Sequence, residues 1–249
     1  MKPPATAPSS PTSPAASRAA IRAVLFDLDD TLWAIEPVLV RAEGLLYEWL
    51  RANAPRVAAA HTAATLRERR MALMQSDPLY RIDLWKLRHA ALTEVFAEHG
   101  EDVARVDEAM ALFSEARSTV DLFADVEPAL QKLKRTLTLG SVSNGFADLE
   151  RIGLAAHFGV SIAAHRFGRA KPDAAIFHAA CDALGVAPAE TVYVGDDLQL
   201  DVQGAQQAGL RAVWMNRFGR VLPQGIVPDA VCRDLHELAD WLDAQAAQT

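Results

Sequence analysis

One stretch decides the fold of this chain: residues 23–33, which read Ala-Val-Leu-Phe-Asp-Leu-Asp-Asp-Thr-Leu-Trp. A short apolar run comes first, and acids and a threonine follow it. An apolar run of this length bounded by polar residues predicts a buried parallel strand. Asp27 and Asp29 then fall where the strand meets its loop. In open α/β sheets that edge carries the active site.

The two acids Asp27 and Asp29 are separated by one residue, and alternate positions of an extended chain point the same way. Both carboxylates can therefore face one pocket while Leu28 packs inward. Like charges this close are costly unless a cation or a shared proton offsets them. The pair suits a nucleophile and an acid/base with divided roles. In the alternative interpretation, Asp29 or Asp30 only caps backbone amides in an acidic turn.

Length and composition restrict the class of protein. The chain has 249 residues, 51% of them hydrophobic and 23% charged, which is typical of a globular protein with one large domain or one domain with an insertion. No apolar run approaches the roughly 20 residues of a membrane span, and the net charge of −7 argues against a nucleic-acid surface. We therefore expect neither nucleic acid nor a membrane as a partner.

The start of the chain and its cysteines bear on location. Residues 1–20 are rich in Pro, Ala and Ser, so we predict a disordered tail without the apolar core of a secretory signal. The two cysteines, Cys181 and Cys232, lie far from any acidic motif. We predict that both cysteines are buried and have no part in the chemistry. Their small number indicates a reducing environment and therefore a cytoplasmic protein.

The segment 37–120 has helical periodicity throughout, as at Leu84, Leu87, Ala91 and Val95. It predicts a helical subdomain inserted directly after the first strand. Residues 41–90 hold nine Arg or Lys against five acids. Such a segment over an acidic edge would suit an anionic substrate, whereas in the alternative interpretation these are solvated helix faces.

From residue 121 the pattern changes to short apolar runs that alternate with amphipathic helices. The runs are Leu137–Val142, Val160–Ala163, Thr191–Gly195 and Leu210–Met215. Alternating strands and helices form right-handed crossovers and a parallel sheet. We predict an α/β fold, with a Rossmann-like core made of residues 21–36 and 121–249.

Polar residues follow several of these strands. Ser143 and Asn144 follow one strand, Asp196 and Asp197 follow another, and Lys171 lies in a loop before a helix. Parallel order brings all of them to the edge that carries Asp27. Each has a structural explanation by itself, as a turn, a helix entry or a helix cap. Their occurrence together, in this order, indicates a site.

Four segments in this order resemble the motifs of the haloacid dehalogenase superfamily, most of whose members are phosphatases. They are Asp27-Leu28-Asp29-Asp30-Thr31, Val142-Ser143-Asn144-Gly145, Lys171-Pro172, and Gly195-Asp196-Asp197 with Asp201. The resemblance implies that the helical insertion is a cap closing over the site. Members that transfer phosphoryl groups carry a second Asp like Asp29, because the leaving alkoxide needs a proton. Dehalogenases lack it, so the resemblance implies a phosphohydrolase.

The resemblance also implies roles for single residues. Asp27 would attack phosphorus and form an aspartyl-phosphate, and Asp29 would protonate the leaving oxygen and then activate water. Four residues would bind the phosphoryl group: Thr31, Ser143, Asn144 and Lys171.

A metal site of oxygen ligands is implied as well. The Asp27 carboxylate, the Asp29 backbone carbonyl and Asp196 would hold Mg²⁺. Of Asp197 and Asp201, one would orient metal-bound water and the other would cap the helix.

The predicted cap offers residues for choosing a substrate, namely Trp33, Arg41, Trp85 and Arg88. The motif at residues 27–32, followed by Pro37-Val38 with Arg41 and Glu43 and then by Trp85 with Arg88, is similar to bacterial phosphatases of riboflavin biosynthesis. Those enzymes act on 5-amino-6-(5-phospho-D-ribitylamino)uracil and often on flavin mononucleotide (FMN). A small anionic phosphorylated substrate is therefore expected. The alternative is a broad sugar-phosphate or nucleotide phosphatase.

Two further classes are open at this point. A receiver-type signalling module also gathers acids, a hydroxyl residue and a lysine at a sheet edge, but it has roughly half this length and no helical insertion. An inactive ligand-binding relative would be expected to have lost a motif residue, and all are intact here. The sequence does not distinguish a monomer from a homodimer.

Overall fold

The apolar run at the start of the deciding stretch forms strand β1, Ala23–Phe26, and all of its residues are fully buried. β1 pairs in parallel on both sides, with Phe26 opposite Ser141 on one neighbour and Val194 on the other. A strand that is covered on both faces needs apolar side chains at every position. This computed structural model describes residues 19–247. Most of the predicted disordered tail, residues 1–18, lies outside the described residues.

The sheet has six parallel strands in the order β3-β2-β1-β4-β5-β6. The other five are β2 (Thr138–Ser143), β3 (Val160–Ala163), β4 (Thr191–Gly195), β5 (Arg211–Met215) and β6 (Ala230–Cys232). This confirms the predicted α/β class with a parallel sheet. Strand β6 is not predicted from the sequence, because a strand of three residues is too short to show a pattern.

Five α-helices follow β1 directly. They are α1 (Ile35–Asn53), α2 (Pro55–Ala60), α3 (Ala63–Ser76), α4 (Leu84–Glu98) and α5 (Val106–Arg117). Thr62 caps the start of α3 and Asp83 caps the start of α4. These helices enclose a hydrophobic cluster of their own, which contains Leu50, Phe96 and Phe113. We call residues 35–117 the helical insert; its predicted limits as a domain, 37 and 120, stay a prediction.

Six further α-helices accompany the sheet. They are α6 (Val126–Leu133), α7 (Leu149–Ile152), α8 (Ala164–Phe167), α9 (Ala174–Leu184), α10 (Gly204–Gln207) and α11 (Leu235–Ala246). One core cluster joins α6 and α11 to Val24 and Phe26, and a second joins α9 to Ala23 and Leu25. Alternate residues of β1 thus face two different layers. No helix within residues 19–247 has the length and apolar character that crossing a membrane requires.

The two cysteines are buried and unpaired, as expected, with Cys181 in the second of these clusters and Cys232 in the first.

Candidate active site

Asp27 stands directly after β1, at the carboxyl edge of the sheet. Its backbone N–H donates to the Val194 carbonyl at 2.8 Å, which continues the pairing with β4 by one residue. The residue is 6% exposed, and its Oδ1 accepts a hydrogen bond from Lys171 Nζ. Burial raises the pKa of Asp27 well above its ordinary value, although Lys171 opposes this change. The Asp27 carboxylate is therefore buried and is held in an ion pair with Lys171.

Lys171 is the buried cation of the site. Besides Asp27, its Nζ donates to the Tyr193 hydroxyl at 2.9 Å and to Asp201 Oδ1 at 2.7 Å. These partners use all three donors of an ammonium group. Burial disfavours the charge, but the carboxylates of Asp201 and Asp27 outweigh it and raise the pKa of Lys171 well above its ordinary value. Lys171 is thus a fixed positive charge.

Three carboxylates crowd around this position. One oxygen each of Asp27, Asp196 and Asp201 lies within 4.8 Å of the others. Burial raises the pKa of Asp196 to about 6, although Arg220 donates to its Oδ2 at 2.8 Å. Carboxylates this close repel one another unless a cation offsets them. An all-oxygen set of this kind suits Mg²⁺.

The structure distinguishes the two acids that the sequence leaves equivalent. Asp201 is 1% exposed, and its Oδ2 accepts from the Asp197 backbone N–H at 2.9 Å. The Asp197 carboxylate accepts from the backbone N–H groups of Gln199 and Leu200, both at 2.8 Å, and so caps a π-helix over Leu198–Gln203. Asp201 therefore belongs to the acidic cluster, whereas Asp197 caps the helix.

Gly195 makes room for this arrangement. A Cβ atom at this position would lie 2.3 Å from the Asp201 carboxylate, so a larger residue would displace it.

The second acid, Asp29, lies in a tight turn. The Leu32 N–H donates to the Leu28 carbonyl at 2.8 Å, and Asp30 has a left-handed backbone with φ of 57°. The Asp29 carboxylate accepts from Trp33 Nε1 at 2.9 Å and from Arg117 Nη2 at 2.7 Å. Its side chain is outside the acidic cluster. The predicted contact of its backbone carbonyl with a metal stays a prediction.

The loop after β2 faces the same edge. Ser143 Oγ accepts from the Gly145 N–H at 2.9 Å. The Asn144 side chain accepts from the Lys171 N–H at 2.8 Å and donates to the Lys171 carbonyl at 3.1 Å. Thr31 is fully buried, and its hydroxyl has no partner within residues 19–247. The Asn144 side chain thus fixes the Lys171 loop, and the predicted contact of Thr31 with phosphate stays a prediction.

The structure places two of the predicted substrate residues inside the protein. Trp33 is fully buried, and its ring nitrogen is bound to Asp29. Arg88 is 6% exposed, donates to Glu43 at 2.7 Å and stacks over the Phe113 ring at 3.6 Å. Both side chains are enclosed by protein, so neither presents a surface to a substrate.

The other two predicted substrate residues differ from each other. Arg41 donates to the carbonyls of Ala116 and Thr119, so it holds the end of α5. Trp85 is half-buried, stacks on His89 with ring centroids 5.2 Å apart, and lines the cavity described below. Only Trp85 keeps a place where a substrate ring can reach it.

Several arginines of the insert have acidic partners within the insert or beside it. Ion pairs link Arg51 to Glu48, Arg56 to Glu101, Arg69 to Glu94 and Glu98, and both Arg70 and Arg88 to Glu43. These pairs neutralise much of the local positive charge. They do not support a positive patch spread over the site.

A cavity of about 900 Å³ opens beside the Ser143 loop. The insert contributes Trp85 and Ser114 to its wall, and the core contributes Ser143, Phe146 and His165. It is lined from both parts of the molecule and includes the turn at Gly145. A substrate of metabolite size fits such a volume. Ser143 lines the cavity, whereas Asp27, Lys171 and the other acids of the cluster do not.

Sequence reasoning missed two site residues. Tyr193 carries a hydroxyl inside a strand that the sequence predicts to be buried. A buried hydroxyl needs a hydrogen-bond partner, so the sequence could have indicated this residue. Its hydroxyl donates to the Val142 carbonyl at 2.8 Å and accepts from Lys171. Arg117, the partner of Asp29, gave no signal, because it lies 88 residues away along the chain.

A comparison with known families identifies the class of protein that has this fold and this acidic cluster. Residues 21–209 match the model of the haloacid dehalogenase-like hydrolases. The chain belongs to this family.

Similar proteins include two curated phosphatases. The 5-amino-6-(5-phospho-D-ribitylamino)uracil phosphatase YigB of Escherichia coli is 30% identical over 199 residues, which cover 78% of this chain and 83% of the relative. The phosphoserine phosphatase of Thermus thermophilus is 36% identical over 157 residues, covering 61% and 63%. The family and these relatives identify the chain as a phosphatase.

A solved structure is also similar. It is described as a 2-haloacid dehalogenase from Pseudomonas syringae pv. Tomato, with 37% identity, a TM-score of 0.85 and coverage of 90% of this chain and 99% of the other.

Proposed function

We propose that the chain is a Mg²⁺-dependent phosphomonoester hydrolase that works through an aspartyl-phosphate on Asp27. The buried Asp27 carboxylate, bound to Lys171 at the edge of the sheet, is the observation that carries this proposal. Its second oxygen is the nucleophile, because Oδ1 is bound to the ammonium group. Asp29, in the following turn, supplies the acid/base that a phosphate ester requires.

The neighbouring groups divide the work of holding the phosphoryl group. Lys171 neutralises charge on the phosphoryl oxygens while it keeps Asp27 in place. Ser143, the Asn144 backbone amide and the unpartnered Thr31 hydroxyl donate hydrogen bonds to those oxygens. The Asn144 side chain holds the Lys171 loop in place through two hydrogen bonds to the Lys171 backbone.

The donor set at this edge fits Mg²⁺, since three carboxylates converge and all offer oxygen. Asp27, Asp196 and Asp201, with the Asp29 carbonyl, would hold the ion. When bound, it supplies positive charge that offsets the crowded carboxylates and the phosphoryl group.

For the substrate we propose a small phosphorylated metabolite of the flavin pathway, 5-amino-6-(5-phospho-D-ribitylamino)uracil or FMN. The similarity to YigB supports this choice, and so does a cavity of about 900 Å³ with Trp85 in its wall. The alternative is a broad phosphatase of sugar phosphates or nucleotides, which the similarity to a phosphoserine phosphatase favours.

A dehalogenase is a second candidate, because of the 37% identical structure described as one. Asp29 argues against it, since a halide departs without a proton.

The test is phosphate release by purified protein, with and without Mg²⁺, across flavin-pathway phosphates, nucleotides and sugar phosphates. Halide release from 2-haloacids is measured beside it. We expect Mg²⁺-dependent phosphate release with the highest kcat/KM on the flavin-pathway compounds, and none from Asp27→Asn. Equal, weak rates on all phosphates would remove the flavin substrate and keep the phosphatase. Halide release alone would replace the proposal, and no Asp27-dependent reaction would favour a binding protein.

A further inference from the structure

The carboxylate of Asp29 is held by two donors on one side. Its Oδ1 accepts from Trp33 Nε1 at 2.9 Å and from Arg117 Nη2 at 2.7 Å. Its Oδ2 contacts only the same Nη2, at 2.5 Å, among the described residues. Arg117 Nη2 therefore bridges both oxygens of the carboxylate, and the additional donor Trp33 Nε1 on Oδ1 fixes the plane of the group.

That second oxygen lies next to the loop that we propose binds phosphate. A Cβ atom at Gly145 would lie 3.0 Å from Asp29 Oδ2, 3.3 Å from Arg117 Nη2 and 3.3 Å from Ser143 Oγ. These three atoms therefore surround one point beside the turn. Only a glycine leaves this space open.

Arg117 is a buried charged residue with an unsatisfied hydrogen-bond donor. It is the last residue of α5, its side chain is 4% exposed, and its Nη1 is buried without a partner within residues 19–247. The unpaired donor costs free energy, and the two contacts of Nη2 with Asp29 are the hydrogen bonds that the Arg117 guanidinium makes within the described residues. Arg41, from α1, binds the Ala116 and Thr119 carbonyls on either side of Arg117 and so fixes the end of the helix that carries it.

We infer that Arg117 is a positioning residue for Asp29, resting on the proposed function. Together with Trp33 it fixes the Asp29 carboxylate, so that Oδ2, the oxygen beside the Ser143 loop, meets the ester oxygen. In the first step the bond from Asp27 to phosphorus forms, the ester P–O bond breaks, and the leaving oxygen takes the proton of Asp29. In the second step water attacks phosphorus and gives a proton to Asp29, and the Asp27–phosphorus bond breaks.

The test compares two leaving groups. An alkyl phosphate, the best of the panel above, needs a proton as it leaves, whereas 4-nitrophenolate leaves 4-nitrophenyl phosphate without one. For Arg117→Ala we expect kcat/KM on the alkyl ester to fall about 100-fold, and on the aryl ester to fall less than about threefold. Because dephosphorylation slows as well, stopped-flow traces should show a burst of 4-nitrophenolate. Guanidinium ion added to this variant should restore part of the alkyl-ester rate.

Three variants control the test. Asp29→Asn should show the same pattern, and the double variant should lose little more than either single one, because both remove one function. Trp33→Phe removes the other hydrogen-bond donor to Asp29 Oδ1. If Arg117→Ala does not fold, this variant tests whether the position of the Asp29 carboxylate matters. Arg51→Ala removes an exposed arginine of the insert that does not line the cavity, and it should leave both rates near wild type.

Equal losses on both esters, or no loss on either, would overturn the role of Arg117. This outcome differs from failure of the proposed function, in which Asp27→Asn keeps its activity or the wild type releases no phosphate.

Discussion

Two buried groups of charged residues stand in contrast, one in the core and one in the helical insert. In the core, the carboxylates of Asp27, Asp196 and Asp201 lie close together, and Lys171 pairs with the first and the third of them. In the insert, one acid, Glu43, accepts from both Arg70 and Arg88 at 2.7 Å. The core cluster therefore has surplus negative charge and the insert cluster surplus positive charge.

The two acids respond to burial in opposite ways. Burial raises the pKa of Asp27, and one ammonium group does not reverse this in the presence of a second carboxylate. Burial acts in the same direction on Glu43, but two guanidinium groups outweigh it and lower its pKa. The insert cluster is thus arranged for stability. The core cluster keeps surplus negative charge buried, which costs stability unless a cation offsets it.

The largest effect should come from Asp27→Asn. The amide is a poor nucleophile, so we expect phosphate release to fall by more than about 1,000-fold. At the same time one crowded charge disappears, and the melting temperature of the metal-free protein should stay within about 3 °C of the wild type. Phosphate assays and thermal unfolding of the same preparation measure both. A large fall in melting temperature would mean that the Asp27–Lys171 pair stabilises the fold. The core cluster and the insert cluster would then not differ in their effect on stability.

The opposite pattern is expected for Glu43→Gln. This change keeps the shape but leaves two guanidinium groups without their carboxylate, so the free energy of unfolding should fall by about 2 kcal/mol. The folded variant should keep its kcat/KM. Urea unfolding measures the change. Glu48→Gln, which alters an exposed pair with Arg51, is the matched control and should stay within about 0.5 kcal/mol. Unaltered stability of Glu43→Gln would show that the insert cluster is not a stabilising one.

The stabilising effect of Glu43 should also depend on pH. Its folded pKa lies below the unfolded value of 4.5, so its contribution is fully present above that pH and is lost as the pH falls through the lowered pKa. The difference in unfolding free energy between wild type and Glu43→Gln should therefore be constant from pH 7 to about 5 and shrink below about 4.5. Unfolding series over this range measure it. A difference that grows on acidification would contradict the assigned direction of the shift.

The sequence predicted the core cluster better than the insert cluster, and the reason is physical. Asp27, Ser143 and Asp196 each follow a short apolar run, and parallel order alone brings strand ends to one edge. No comparable rule relates positions on neighbouring helices of an insert. Arg88 and Glu43 lie 45 residues apart, and helical periodicity does not show that they meet.

Trp33 shows a second limit of the sequence. A tryptophan in a loop beside a catalytic motif suggests an exposed ring that stacks on a substrate. Here the turn after β1 folds back, and the Trp33 carbonyl accepts from the Asp30 N–H at 2.7 Å, so the ring becomes fully buried. Whether a loop residue is enclosed depends on what packs over it, which local sequence does not record.

The smallest expected effect concerns the surface cation that touches the core cluster. Arg220 is half-exposed and donates to Asp196 Oδ2, an oxygen of the acidic cluster. In the proposed function a metal ion takes this carboxylate, so Arg220 competes with it. Because Arg220 is half-exposed, solvent screens its interaction with Asp196, so Arg220→Met should tighten Mg²⁺ binding only about threefold. Calorimetric titration of Mg²⁺ measures this without any turnover. Arg151→Met removes the same charge from a site without contact to Asp196 and is the control. Weaker Mg²⁺ binding in Arg220→Met alone would mean that Arg220 orients Asp196 for the ion. The guanidinium group of the core cluster would then hold its carboxylate in place, as the guanidinium groups of the insert cluster do.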